Sequence, residues 1–301
     1  MWLGLSLFAA LLFATTSFFD KYLLNKVTRN FSAASYIALS SIAGLPILIV
    51  LYFLARSSLA NYSGWTIATA LCAGLLLVSG YYLFFRCLGF ADTSIVAILF
   101  QMAVVFNLIF GWIFLHEHLG ASAITGIILI LVGATVLNIE IDGGKFRFKP
   151  GVFIPMLGAS ILVSLSDVLF KHTALSANYI GTQFFSYLSI TLTGAALYIL
   201  FPKIRRQLSA FIRSKNKPLK ISTANEAINA SGVLLVNYAL ILGPIALVQA
   251  AVSVEAFFAV IIGIFLTRYF PKIIKENVGR GHVAIKIFSC LIIIAGISLI
   301  S

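Results

Sequence analysis

Acidic side chains are scarce. Asp and Glu together number 9 in 301 residues, against 21 Lys and Arg, and charged residues of both signs amount to 10% of the chain. A soluble domain carries about a quarter of its residues as charges, so that class is excluded. Cysteine is nearly absent as well. Cys72, Cys87 and Cys290 show no CxxC spacing and fall in or beside apolar runs. They read as small packed hydrophobes, neither a disulfide framework nor a metal site. No Walker motif, GxSxG or HExxH occurs. No nucleotide-driven pump or recognisable hydrolase is announced, and no cofactor is expected. What fills the chain is apolar: 61% hydrophobic residues and a mean hydropathy of +1.06. The class these values imply is an all-α integral membrane protein with the lipid bilayer as its solvent.

Ten segments are long enough to cross a hydrocarbon core of about 30 Å as helices. They lie near 2–20, 32–55, 65–86, 93–115, 119–139, 151–171, 179–201, 224–243, 245–268 and 283–300. Trp2 to Phe19 lacks a basic leader and a small-residue cleavage site, so it reads as a retained first helix and not as a signal peptide. The net charge of +12 resolves once the loops are numbered one to nine. All but two of the 21 basic residues fall in odd loops; Arg56 and Lys171 are the exceptions. By the positive-inside rule the odd loops are cytoplasmic and both termini face outward. The basic run Lys203–Lys220 then reads as a solvated cytoplasmic loop on anionic lipid. No nucleic-acid partner is expected.

Residues 91–139 organise the rest. Thr93 to Leu115 and Leu119 to Ile139 contain no ionised side chain, and only His116-Glu117-His118 separates them, so they are expected to form a tight hairpin. Gly126 and Gly133 share one face of the second helix, where small residues let backbones approach. The two histidines, at i and i+2, do not share a helical face and so do not suggest zinc. Glu117 is expected to cap a helix or bond within the turn. An apolar helix, a Glu in the turn and a helix with two spaced glycines resemble the EamA-type domain of the drug/metabolite transporter superfamily. Gln101-Met102-Ala103 stands where that pattern usually has a Pro. The resemblance implies five plus five helices and a transport function.

A repeat points the same way. An offset of 152 lays Ala91–Leu115 over Gly243–Thr267 and matches Gly111 with Gly263. An offset of 163 matches Gly133 with Gly296, so about eleven residues are inserted near Tyr269–Arg280, and an offset of 150 pairs Ser17 with Asp167 and Lys21 with Lys171. The expected organisation is a first five-helix repeat at 1–140, a polar linker at 141–150 and a second five-helix repeat at 151–301. Five is odd, so the second copy must be inverted, the plan of secondary transporters with a site near the midplane.

The sixth segment holds Ser160, Ser164, Asp167 and Lys171 at i, i+4, i+7 and i+11, one stripe of a helix. An intramembrane carboxylate normally faces a bundle interior or an aqueous cavity. Lys171 can pair with Asp167 at i,i+4. The pair reads either as a substrate or proton site or as a structural couple snorkelling to the interface. The matching stripe on the first segment is Ala10, Ala14, Ser17 and Lys21, with Asp20 adjacent. Glu255 lies midway along the ninth segment, where an ionised carboxylate needs a cation, a substrate amine or a basic partner; its repeat counterpart is the Gln101–Ala103 region. Thr182, Ser186, Ser189 and Thr193 share a face of the seventh segment, either lining a path or bonding their own helix. Gln183, Asn225, Asn229, Asn237 and Gln249 complete the polar inventory. The substrate-binding or coupling set expected is Ser17, Gln101, Ser164, Asp167, Lys171, Ser186, Gln249 and Glu255.

These features imply a secondary-active transporter of a small polar, amino-acid-like or amphiphilic molecule in a bacterial or archaeal plasma membrane, exchanging its small-molecule substrate for protons. The alternatives are a membrane-embedded enzyme or flippase subunit acting on lipid-linked substrates.

Overall fold

Apolar runs of twenty residues close their backbone hydrogen bonds internally, because lipid offers none. The computed structural model follows that rule and describes residues 1–26, 31–91, 93–138, 150–213, 217–269 and 280–300, with no strand among them. The helices are α1 (Trp2–Lys26), α2 (Ala33–Ala43), α3 (Leu45–Ala55), α4 (Gly64–Leu88), α5 (Thr93–Phe100), α6 (Met102–Leu115) and α7 (Ala121–Asn138). They continue with α8 (Pro150–Ser176), α9 (Tyr179–Leu200), α10 (Pro202–Arg213), α11 (Lys217–Leu242), α12 (Ile245–Val252), α13 (Glu255–Tyr269) and α14 (Arg280–Ile300).

Among the described residues fourteen α-helices stand where ten were expected, for four identifiable reasons. The second segment bends by 43° between α2 and α3. Pro46, in the first turn of α3, has no N–H to donate and crowds the preceding turn. The fourth segment is stepped at Gln101, with i to i+3 bonds from Gln101 N to Ile98 O (3.2 Å) and Val104 N to Gln101 O (3.0 Å). The ninth is stepped likewise, from Val254 N to Ala251 O (3.2 Å) and Phe257 N to Val254 O (2.9 Å). Such tightened turns inside a helix are characteristic of hinges.

The fourth reason is α10, which corrects the reading of Lys203–Lys220 as a loop. Pro202 opens the helix, where a missing N–H costs nothing. Ile204, Leu208 and Phe211 recur at helical spacing and are buried, while Lys203, Arg205 and Arg206 on the other side are exposed. The apolar face packs on Ala38 of α2 and Leu197 of α9. Residues 214–216 of that run lie outside the described residues, as do 141–149 of the expected linker and 270–279 of the expected insertion.

Among the described residues, six helical stretches are long and apolar enough to cross a membrane, or seven with the bent α2–α3 pair; α7 and α14 hold shorter apolar helices. The packing partners come in exchanged pairs. Helix α1 packs on α11 and α4 on α8; α1 packs on α13 and α6 on α8. Helices α7 and α14 pack on each other through glycine. A Cβ added at Gly126 would stand 2.8 Å from the Gly296 carbonyl, and one at Gly133 would stand 3.0 Å from that of Ser289. The small-residue face expected on α7 is therefore a seam of touching backbones.

Candidate functional site

Helix α8 runs through the middle of the bundle and carries the expected stripe. Ser160, Ser164, Asp167 and Lys171 are all buried. Ser160 donates to Leu99 O (3.4 Å) and Ser164 to Ala103 O (2.8 Å), the carbonyls on either side of the step at Gln101. Asp167 accepts two amide N–H bonds on one oxygen, from Asn107 Nδ2 of α6 at 3.0 Å and Gln249 Nε2 of α12 at 2.8 Å. A hydrogen bond to an ionised group is worth about 1.5–3 kcal/mol. Asp167 therefore ties α8 to both stepped segments. The Asn107 Oδ1 and Gln101 Oε1 atoms are buried without a hydrogen-bond partner. On its other side Asp167 borders a small cavity lined also by Ser166, Gln183, Ser186, Tyr187 and Asn237.

The expected Asp167–Lys171 couple does not form. Lys171 Nζ turns the other way, to Glu117 Oε1 at 2.6 Å and Gly243 O at 2.6 Å. Geometry decides this. His116 sits in the left-handed region at φ 54° and ends α6 sharply, folding Glu117 back under the helix. Gly111 leaves the room, since a Cβ there would lie 2.9 Å from Glu117 Oε2. That second oxygen accepts from Ile245 N at 2.9 Å, the first residue of α12. Glu117 does cap a helix, as expected of a turn carboxylate, but the helix is α12, 128 residues on. One buried latch thus binds the α6–α7 turn, the α8 end and the α11–α12 turn.

A second constellation lies toward the other end of α1. Ser17 donates to Glu255 Oε1 at 2.6 Å. One turn on, Asp20 Oδ1 accepts from Tyr36 of α2 and from Asn225 Nδ2 of α11, both at 2.6 Å. Glu226, beside Asn225, accepts from Ser40 of α2 at 2.7 Å. Three carboxylates from α1, α11 and α13 therefore lie close together, Glu226 and Glu255 each within electrostatic reach of Asp20. Aromatic rings form the adjoining wall: Tyr36 on Phe85 at 4.7 Å, then Phe85 on Tyr81 at 6.2 Å.

Of the residues expected at a site, Asp167 and Gln249 meet directly, Ser17 and Glu255 meet directly, and Lys171 stands apart in the latch. Ser164 and Ser186 each bond a neighbouring helix backbone, Ser186 to Ala70 O at 3.1 Å. Thr182 and Thr193 bond their own helix. Asn107, Tyr36 and Glu226 were not among the candidates. Asn107 had a signal, as one of two amides, with Gln101, in the apolar run from Thr93 to Leu115; so had Glu226, an acid inside a segment long enough to span.

Residues 1–139 match the family model of the EamA-like transporter family. The EamA-like match ends with α7, so the Glu117 turn and the α7 glycines lie within it, and Asp167, Glu226 and Glu255 lie beyond it. No match was found among curated proteins. A solved structure described only as "Crystal structure of protein" aligns with a TM-score of 0.66 and 17% identity, covering 99% of this chain and 94% of that one. That likeness is one of fold.

Proposed function

We propose that this chain is a secondary-active transporter of a small polar solute, with two inverted five-helix repeats, 1–140 and 151–301, rocking about a shared hollow. Asp167 and Glu255 are its coupling carboxylates. One observation carries the reading: the buried Glu117–Lys171 latch closes the bundle at the even-loop end, while the acidic constellation toward the odd-loop end is only half-buried and its Ser17 is exposed. A bundle latched at one end and accessible at the other matches one of the two states alternating access requires.

Further features support the inverted plan. The steps at Gln101 and at Ser253–Val254 fall 152 residues apart, the offset of the repeat. The exchanged packing of α1 on α11 and α4 on α8 is what two interlocked copies produce. The Ser17–Glu255 bond between α1 and α13 is the counterpart of Asp167–Asn107 between α8 and α6, with the acid moved to the partner helix. Positive loop charge sets the odd loops in the cytoplasm and both termini outside. An enzyme acting on lipid-linked substrates would need converging catalytic groups, and the separation of Lys171 from Asp167 removes the pair that came nearest to that.

The test is flux in proteoliposomes with an imposed proton gradient and a panel of labelled amino acids and amines, comparing wild type with Asp167→Asn and Glu255→Gln. Uphill uptake is expected to vanish in both variants while downhill exchange persists. Uphill uptake equal to wild type in both would overturn the coupling assignment.

A further inference from the structure

Among the residues whose side-chain burial is described, Lys171 is the one buried basic side chain, and both its bonds are spent on the latch. An amino acid presents a carboxylate as well as an amine, and a carboxylate bound between helices wants an Arg or Lys. The α1–α2–α11–α13 cluster has the opposite equipment. Asp20, Glu226 and Glu255 supply three carboxylates, and among the described side chains their hydrogen-bond donors are hydroxyls and the amides of Asn225 and Asn229, all neutral.

A second observation points to what is missing. Asn225 is 4% exposed. Its Nδ2 is committed to Asp20, an orientation the carboxylate dictates because it only accepts. The carbonyl oxygen of the same amide, Asn225 Oδ1, is buried without a hydrogen-bond partner. A buried acceptor left without a donor is costly, and an N–H group of a bound solute would satisfy it. Tyr36, whose hydroxyl bonds Asp20, packs its ring on Phe85, which stacks on Tyr81, and aromatic faces attract cations.

We infer that the solute is a cationic amine bearing N–H groups, held by Asp20, Glu226, Glu255 and Asn225 Oδ1 against the Tyr36–Tyr81 wall. This rests on the transporter reading of the same hollow and replaces the amino-acid-like cargo with an organic cation. An ammonium donates to the carboxylates and to the orphan oxygen together. A quaternary ammonium satisfies the charge alone.

The experiment is equilibrium binding to the purified full chain in detergent, by titration calorimetry, with putrescine, tetraethylammonium, leucine and glutamate as probes. Putrescine is expected to bind saturably, with leucine and glutamate at least tenfold weaker and tetraethylammonium between. Glu226→Gln and Asp20→Asn should each weaken putrescine at least tenfold, and the charge-retaining Glu226→Asp should restore most of it. Gel filtration and circular dichroism establish that each variant is folded. Equal affinity for leucine and putrescine, or putrescine affinity unchanged in folded Glu226→Gln, would overturn the inference. The two readings fail separately. Putrescine that binds but is never moved in proteoliposomes sinks the transporter reading alone; leucine carried with no putrescine binding sinks the cation assignment alone.

Discussion

Replacing Lys171 with Met removes the charge and keeps the length of the side chain. The ammonium makes two bonds of 2.6 Å, and the side chains of Lys171 and Glu117 are 9% and 13% exposed. Removing one partner of a buried pair costs about 3–5 kcal/mol, because the other is left charged with too few donors. Here Glu117 would retain the Ile245 N–H, which puts the loss near the lower figure, about 3 kcal/mol. If the latch exists only with the even-loop end closed, that loss moves the balance toward the open form by about a hundredfold. Spin labels at Ser122 and Ala177, both exposed and both at that end, would report it. Electron double resonance should show the short distance of wild type giving way to a longer one in Lys171→Met. In Glu117→Gln/Lys171→Met, with both charges gone, the short distance should largely return. A Lys171→Met protein that melts earlier but keeps the wild-type distance distribution would show the latch to be structural in both states, and the gating argument would fail.

Two further perturbations test the frame. Gly296→Val drives a side chain toward the Gly126 carbonyl, 2.8 Å from where its Cβ would stand; overpacking of about 1–3 kcal/mol should lower the melting temperature by several degrees. Gly4→Ala, with nothing within 4 Å, should leave the melting temperature level or slightly raised. Leu208→Ala empties a fully buried position under α10 at a cost of about 2–5 kcal/mol; tryptic cleavage after Arg205 and Arg206 should quicken, and an unchanged cleavage rate would contradict the docking of that helix.

Much of this was legible from residues alone, for reasons that also mark where legibility stops. A glycine face on α7 is visible in one sequence because small residues recur at helical spacing; that α14 fills it is a long-range fact that no local pattern encodes. Asp167 was visible because a charge in an apolar run is costly wherever it lies. Its partners were not, since Asn107 and Gln249 reach it from helices 60 and 82 residues away. Lys171 was assigned to Asp167 by i,i+4 proximity, but an intrahelical pair competes with any carboxylate that the fold delivers, and the left-handed residue His116 delivers Glu117. The steps at Gln101 and Val254 escaped notice because neither carries a proline, and the polar residues at them, Gln101, Ser253 and Glu255, do not by themselves break a helix. Lys203–Lys220 looked like a loop because its charges outnumber its apolar residues, and the three that matter, Ile204, Leu208 and Phe211, emerge only at a period of three to four.

The contact of α7 with α14 has one more implication. Where main chains touch, neither member can slide lengthwise without driving Cα hydrogens into carbonyls, yet each can still roll slightly against the other. Such a joint acts as an axle. Ile128, Val132, Leu291 and Ile294 are exposed on these two helices, so the axle lies at the rim of the molecule. Any turn about it moves the parts of the bundle farthest from it through the widest arc.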